Sequence, residues 1–224
     1  MQLLNVVNAR STWLFDINDL NPRGKSIMDE RIEWLKDAYN FEKAPSSTTD
    51  FDESKGRAFK GGHFQVKEEI FVAVDLTLYN DGIIGNSWSS TRDTDAFIED
   101  VLISAAKEFG LTYDPRMVRL KGHVSELSVR LDEHLSRINS LLNEFAQKLT
   151  AKCEIPNGPP FELGGLSFWS DTSGLAFKIP PFMLERRLGA PFSENRFYTK
   201  AALHTDDHLG FVGELEHILK NPNY

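Results

Sequence analysis

Two histidines four positions apart can hold one metal ion from a single helical face, and His204 and His208 have that spacing. Their context argues against it. In the run His204-Thr205-Asp206-Asp207-His208, Thr205 followed by two acidic residues has the form of a helix N-cap and first turn. That leaves His204 outside the helix and off the face that carries His208. Thr205 also stands where an H-E-x-x-H zinc site needs its glutamate. No metal site is expected there. His63, His123, His134 and His217 are isolated along the chain.

Nucleophile patterns are equally thin. Ser167 sits in Gly165-Leu166-Ser167-Phe168-Trp169, which lacks the second glycine of a G-x-S-x-G elbow. Cys153 is the chain's single cysteine, and no histidine near it in sequence would activate the thiol. Lys55-Gly56-Arg57 and Lys60-Gly61-Gly62-His63 combine glycine with basic side chains, as phosphate-cradling loops do. The G-x-x-x-x-G-K-[ST] pattern of a P-loop is absent. Asp16 and Asp19 lie where the first strand ends, a common place for catalytic acids. Their spacing does not build an EF-hand loop.

The segment from Pro180 to Leu203 has no helical or strand period and is rich in arginine and aromatic residues. Between Glu185 and Lys200 it carries four basic side chains against two acidic ones, within a chain of net charge −8. Arginine and tyrosine dominate binding hot spots, and long unstructured loops in compact domains are often functional. Arg186, Arg187, Phe192, Arg196 and Tyr198 are therefore the candidate ligand- or partner-binding residues. The competing reading is a loop wrapped over the core with Phe182, Phe192 and Phe197 as plugs.

The elements that would position these residues follow from periodicity. Leu3 to Phe15 reads as one bent strand or two short ones. Ser26 with Asp29 forms a capping-box-like start, and Met28, Ile32, Leu35 and Tyr39 then share a helical face. A long flexible loop is expected over about 43–62. Phe64, Val66, Ile70, Val72, Val74, Leu76 and Leu78 all occupy even positions, so one long strand is expected, broken only by Glu68. Asn80-Asp81-Gly82 turns it into a returning strand from Ile83, with the glycine supplying a positive φ. A helix runs from about Asp93 to Phe109 and stops at Gly110. Met117 to Leu131 is read as strand, with a bulge near Gly122; the rival is a long helix starting at Ser125. A helix from about Asp132 carries Leu135, Ile138, Leu142, Phe145 and Leu149 on one stripe, expected to lie on a sheet. Its rival use as a coiled-coil seam covers barely two heptads. Two short strands, 161–169 and 175–179, and a last helix from Thr205 complete the chain. No internal repeat is visible.

The expectation is therefore a single α+β domain, residues 1–224, with a mixed or antiparallel sheet, about four helices packed on it, and an extended loop over about 180–204. Apolar residues make up 41% of the 224, enough for a core without disulfides. The negative charge disfavours nucleic acid and anionic lipid. With no signal-peptide pattern and no apolar run near the ~20 residues of a membrane span, a cytoplasmic location without membrane contact is expected. No cofactor is implied. The functional expectation is a non-enzymatic subunit that binds another protein or itself within a larger complex. The alternative is an enzyme or binder of a small phosphate- or carboxylate-bearing ligand, with Arg186, Arg187 and Arg196 as anion clamps and Asp16 or His204 as acid–base group.

Overall fold

The computed structural model describes residues 1–20, 28–45, 56–153, 158–174 and 178–221. Among them are four helices of eleven residues or more and eight strands of one antiparallel sheet, so the α+β expectation holds. The order is β1 (Gln2–Leu14), a short turn of helix α1 (Ile17–Leu20), α2 (Met28–Ala38), β2 (Arg57–Lys67), β3 (Ile70–Tyr79), β4 (Gly82–Ser87) and α3 (Thr91–Phe109). There follow β5 (Leu120–Arg130), α4 (Ser140–Lys152), β6 (Gly165–Phe168), β7 (Phe182–Arg186), β8 (Arg196–Ala201) and α5 (Thr205–Lys220). The strands are hydrogen-bonded in the order β2-β3-β4-β1-β5-β8-β7-β6.

That order contains a repetition the sequence does not reveal. Setting α1 aside, strand-helix-strand-strand-strand-helix occurs twice, as β1-α2-β2-β3-β4-α3 and β5-α4-β6-β7-β8-α5. The sheet runs β2-β3-β4-β1 in the first and β6-β7-β8-β5 in the second. The chain divides into two compact units, one of Val6–Ser125 with Leu203–Thr205, the other of Met1–Asn5, Glu126–Ala202 and Asp206–Tyr224.

The first unit is built on alternation. Ala9, Ser11 and Trp13 of β1 are buried, as are Val74 and Leu76 of β3, and α2 adds Ile32 and Leu35, with Tyr39 just beyond its end. Helix α3 contributes Phe97, Ile98 and Val101. Aromatic rings fill the centre: Tyr39 meets Phe97 edge-on at 5.2 Å, and Phe41 packs on Phe59 at 5.3 Å. Helix α3 is capped by Ser90, whose side chain accepts from the Asp93 amide, and ends at Gly110 with φ 61°. The expected start of α2 at Ser26 lies outside the described residues.

The long strand expected over 64–78 is a hairpin. β2 ends at Lys67, Glu68-Glu69 make the turn with Glu69 at φ 61°, and β3 returns with Phe64 opposite Val72 and Gln65 opposite Phe71. A register shift between Gln65 and Lys67, next to the two-residue turn, gives paired residues such as Phe64 and Val72 the same parity, so the even-position apolar pattern resumes beyond the turn.

The segment expected as loop over 43–62 is strand from Arg57 onward. Its glycines serve a bulge between Phe59 and Gly62. Gly61 adopts φ 69° and donates its amide to buried Asp75 at 2.9 Å, beside Lys60 Nζ at 2.9 Å from the same carboxylate. A Cβ on Gly62 would stand 2.4 Å from the Phe41 ring. Gly82 has a role other than the expected positive φ: its Cβ would lie 2.4 Å from the Trp13 carbonyl oxygen.

In the second unit, β6 pairs with β7, with Leu166 opposite Leu184, so the partner strand is Phe182–Arg186 and not the expected 175–179. Residues 175–177 lie outside those described. β8 follows, and the segment expected as one extended loop therefore holds two strands. Leu184 and Phe197 are fully buried. Residues 120–130 form the expected strand, with Ser125, Leu127 and Val129 buried. No helix among the described residues is long and apolar enough to cross a membrane.

Val74→Asp would bury a carboxylate without a partner in the first unit's core. The cost is expected to be several kcal/mol out of a total stability of about 5–15. Urea denaturation checks it, and an unchanged midpoint would contradict the packing described.

Candidate functional site

Of the five arginine–aromatic candidates, Arg186, Arg187 and Phe192 line one open cleft, and Arg196 and Tyr198 are not part of its lining. Arg186, with 8% of its side chain exposed, pairs with Glu162 at 3.0 Å. Its guanidinium lies over the Phe192 ring at 4.3 Å and the Phe197 ring at 5.2 Å. Arg196 is exposed and pairs with Glu194 at 2.8 Å. Arg187 is exposed at the surface, its amide bonded to the Arg196 carbonyl at 2.9 Å. Tyr198 donates its hydroxyl to Glu126 at 2.8 Å; burial and that carboxylate both raise its pKa. Phe192 is half exposed beside Arg186. Glycines Gly164 and Gly165 and residues Glu185 to Ala190 line an open cleft of about 590 Å³, with Arg186 and Arg187 on its wall.

Helix α4 is inverted relative to expectation. Its apolar stripe was expected to lie on a sheet, yet none of its residues is buried. Leu141 is 68% exposed, Phe145 66%, Leu142 44% and Leu149 42%. The more covered positions are Asn143, Ala146 and Thr150, at spacings of three and four. They are tied locally: Asn143 Nδ2 donates to the Ser136 carbonyl at 2.6 Å, and Thr150 Oγ1 accepts from the Phe161 amide at 2.8 Å. The helix thus turns a small, polar face inward and its leucines and phenylalanine outward. Leu135, the first residue of the expected stripe, precedes α4 in a 3₁₀ turn and is fully buried.

The chemically dense cluster lies in the first unit. Asp95 of α3, His123 of β5 and His204 each offer one ligand atom, all within 4.8 Å of one another. His123 Nε2 is 2.9 Å from Asp95 Oδ2. Trp13 Nε1 donates to the other carboxylate oxygen, Oδ1, at 2.8 Å. Burial alone would raise the Asp95 pKa; hydrogen bonds from His123, Trp13 and Ser11 outweigh it and hold the group below the ordinary carboxylate value. The His123 and His204 rings stack at 3.7 Å.

His204 is placed by its neighbour. The Thr205 amide donates to Thr91 Oγ1 at 2.9 Å, and the Thr91 amide donates to Thr205 Oγ1 at 3.0 Å. Two buried threonines thus serve the first turn of each other's helix, and His204 Nδ1 rests 3.3 Å from Thr91 Oγ1. Sequence reasoning placed His204 outside α5, where it is, but missed its neighbours. The sequence marks His123 only as an isolated histidine and does not single out Asp95. Only the pairing of β5 with β1 and the Thr205 cap bring them together.

The other sequence candidates are spread through the two units. His208 is fully buried and shares a 2.9 Å bond with Thr199 Oγ1. Asp16 is partly buried and Asp19 exposed, both near Arg119, at 4.0 and 3.5 Å. Cys153 is a free thiol at the C-terminal end of α4, and Ser167 accepts from Trp169 Nε1 at 3.2 Å. Comparison with known protein families and with curated proteins finds no match to this chain.

Burial pushes the His208 pKa down to about 4 from an ordinary 6.5. Below pH 6.5 the unfolded chain then binds a proton that the folded chain refuses, so stability falls as pH falls, and the loss ends near pH 4. Between pH 7.5 and 5 the His208 contribution is expected to be about 2 kcal/mol. Urea denaturation across that range should show the slope, and His208→Gln should flatten it. The same slope in both proteins would contradict the assignment.

Proposed function

We propose that this chain is a self-associating, non-enzymatic subunit, and that the outward face of α4 is its contact surface. The observation that supports this reading is the inversion of that helix. An amphipathic helix on a globular domain directs its apolar stripe to the core. Here Leu141, Leu142, Phe145 and Leu149 are all exposed. Fully burying an exposed side chain of this kind stabilises by about 1.5–3 kcal/mol, and these four are 42–68% exposed, so a sizeable part of that gain is left unused at each. Clustered exposed apolar residues mark interaction sites.

A second copy of the chain is the occupant that fits best. Leu142, Phe145 and Leu149 recur at three and four, the spacing of a two-turn seam, which an identical seam complements. A two-fold contact is isologous, so each copy supplies the same patch. The helix is about 20 Å long, short for a stable coiled coil alone; flanking residues would widen the contact.

Size-exclusion chromatography with light scattering tests the reading. The wild-type chain is expected at twice its monomer mass at micromolar concentration, and Phe145→Asp at the monomer mass with an unchanged melting temperature. A wild-type monomer at every concentration would contradict the proposal. So would a Phe145→Asp protein that keeps the wild-type mass.

A further inference from the structure

We infer that Asp95, His123 and His204 form a binding site for a zinc-class transition-metal dication, held by two imidazole nitrogens and one carboxylate oxygen, with an open position for water. The three ligand atoms already lie within 4.8 Å of one another. Four-coordinate zinc, with bonds of about 2.0–2.2 Å, sets its ligand atoms about 3.3–3.5 Å apart. The 2.9 Å approach of His123 Nε2 to Asp95 Oδ2 is closer than that, so this pair would open by about half an ångström to admit the ion, with His204 as the third ligand. Two imidazoles select zinc, cobalt, nickel or iron over magnesium and calcium, which prefer oxygen ligands.

The surroundings are those of a prepared site. Metal-binding carboxylates and imidazoles are oriented by outer hydrogen bonds. Trp13 Nε1 occupies Asp95 Oδ1, which leaves Oδ2 directed at the imidazoles. His204 Nδ1 lies 3.3 Å from Thr91 Oγ1, which helps hold the ring in place. Asp95 and His123 keep 24% and 12% of their side chains exposed, so an ion there retains access to water, the arrangement of open rather than purely structural zinc sites. Lys121 is the nearby cation, and its Nζ lies 3.4 Å from the centre of the Trp13 ring. None of these residues belongs to α4, so the site stands or falls independently of self-association.

The test is titration of the full-length, chelator-treated chain with cobalt(II) chloride, read by the visible ligand-field absorption of four-coordinate cobalt, followed by displacement with zinc. One equivalent is expected to bind. His204→Ala should weaken binding by at least the ~10–100-fold that loss of an outer partner costs, and Trp13→Phe by about 10-fold. His63→Ala should leave the titration unchanged. His123→Ala is a second ligand variant; if it fails to melt cooperatively, His204→Ala alone decides. Absence of the cobalt spectrum in the wild-type chain would overturn the proposal. So would a spectrum that survives His204→Ala with unchanged affinity, since the ion would then be held elsewhere.

Discussion

The reciprocal hydrogen bonds between Thr91 and Thr205 are the constraint on which the candidate metal site depends. A helix begins with amides that have no partner within the helix, and burying one without a partner costs about 1–3 kcal/mol. Thr91 is fully buried and Thr205 nearly so. Each resolves the other's problem, with backbone N–H donated to side-chain oxygen in both directions. Thr94 continues the network to Ser11 of β1 at 2.7 Å. The residue before Thr205 has no freedom to wander, and that residue is His204. A segment three residues long, Leu203–Thr205, is thereby held with the unit that contains Asp95 and His123.

The repeated topology sharpens the meaning of α4. Helices α2 and α4 occupy the same place in the two runs of elements. At α2 the apolar face is buried through Ile32 and Leu35. At α4 the corresponding stripe of Leu142, Phe145 and Leu149 faces outward. Both helices have the amphipathic pattern, but only one covers it with the chain's own core. That contrast within one molecule is the physical basis of the proposal that a second copy covers α4.

Much of the fold was legible in local pattern. The periods of α3 and α5, the alternation at Leu127 and Val129, and the stop at Gly110 each reflect a single element meeting water on one side. What was hidden has specific causes. The register shift between Gln65 and Lys67 keeps the parity of β2 and β3 in step across the Glu68-Glu69 turn, so the two read as one strand, and no glycine marks the positive φ that Glu69 adopts. Strands β7 and β8 are short and interrupted by Pro191, which masked their alternation at Leu184, Phe197 and Thr199. Periodicity located the amphipathic face of α4 but carries no information about what covers it. Arg186 looked like a free anion clamp because Glu162 reaches it only where β6 pairs with β7, and Phe192 only where the chain turns back between β7 and β8. Asp95, His123 and His204 span more than a hundred positions on a helix, a strand and a loop, a distance at which sequence spacing says nothing about coordination.

The most direct measurement is hydrogen exchange at the Thr91 amide, followed by NMR in the wild-type chain and in Thr205→Val. An amide in a helix's first turn normally exchanges fast, because nothing within the helix accepts its proton. The structure gives Thr91 an acceptor in Thr205 Oγ1 at 3.0 Å, in a buried setting. Slow exchange is therefore expected in the wild type, near the rate set by opening of the first unit, with a large acceleration in Thr205→Val. Fast exchange in the wild type, or protection unchanged in the variant, would contradict the cap and with it the placement of His204 beside Asp95 and His123.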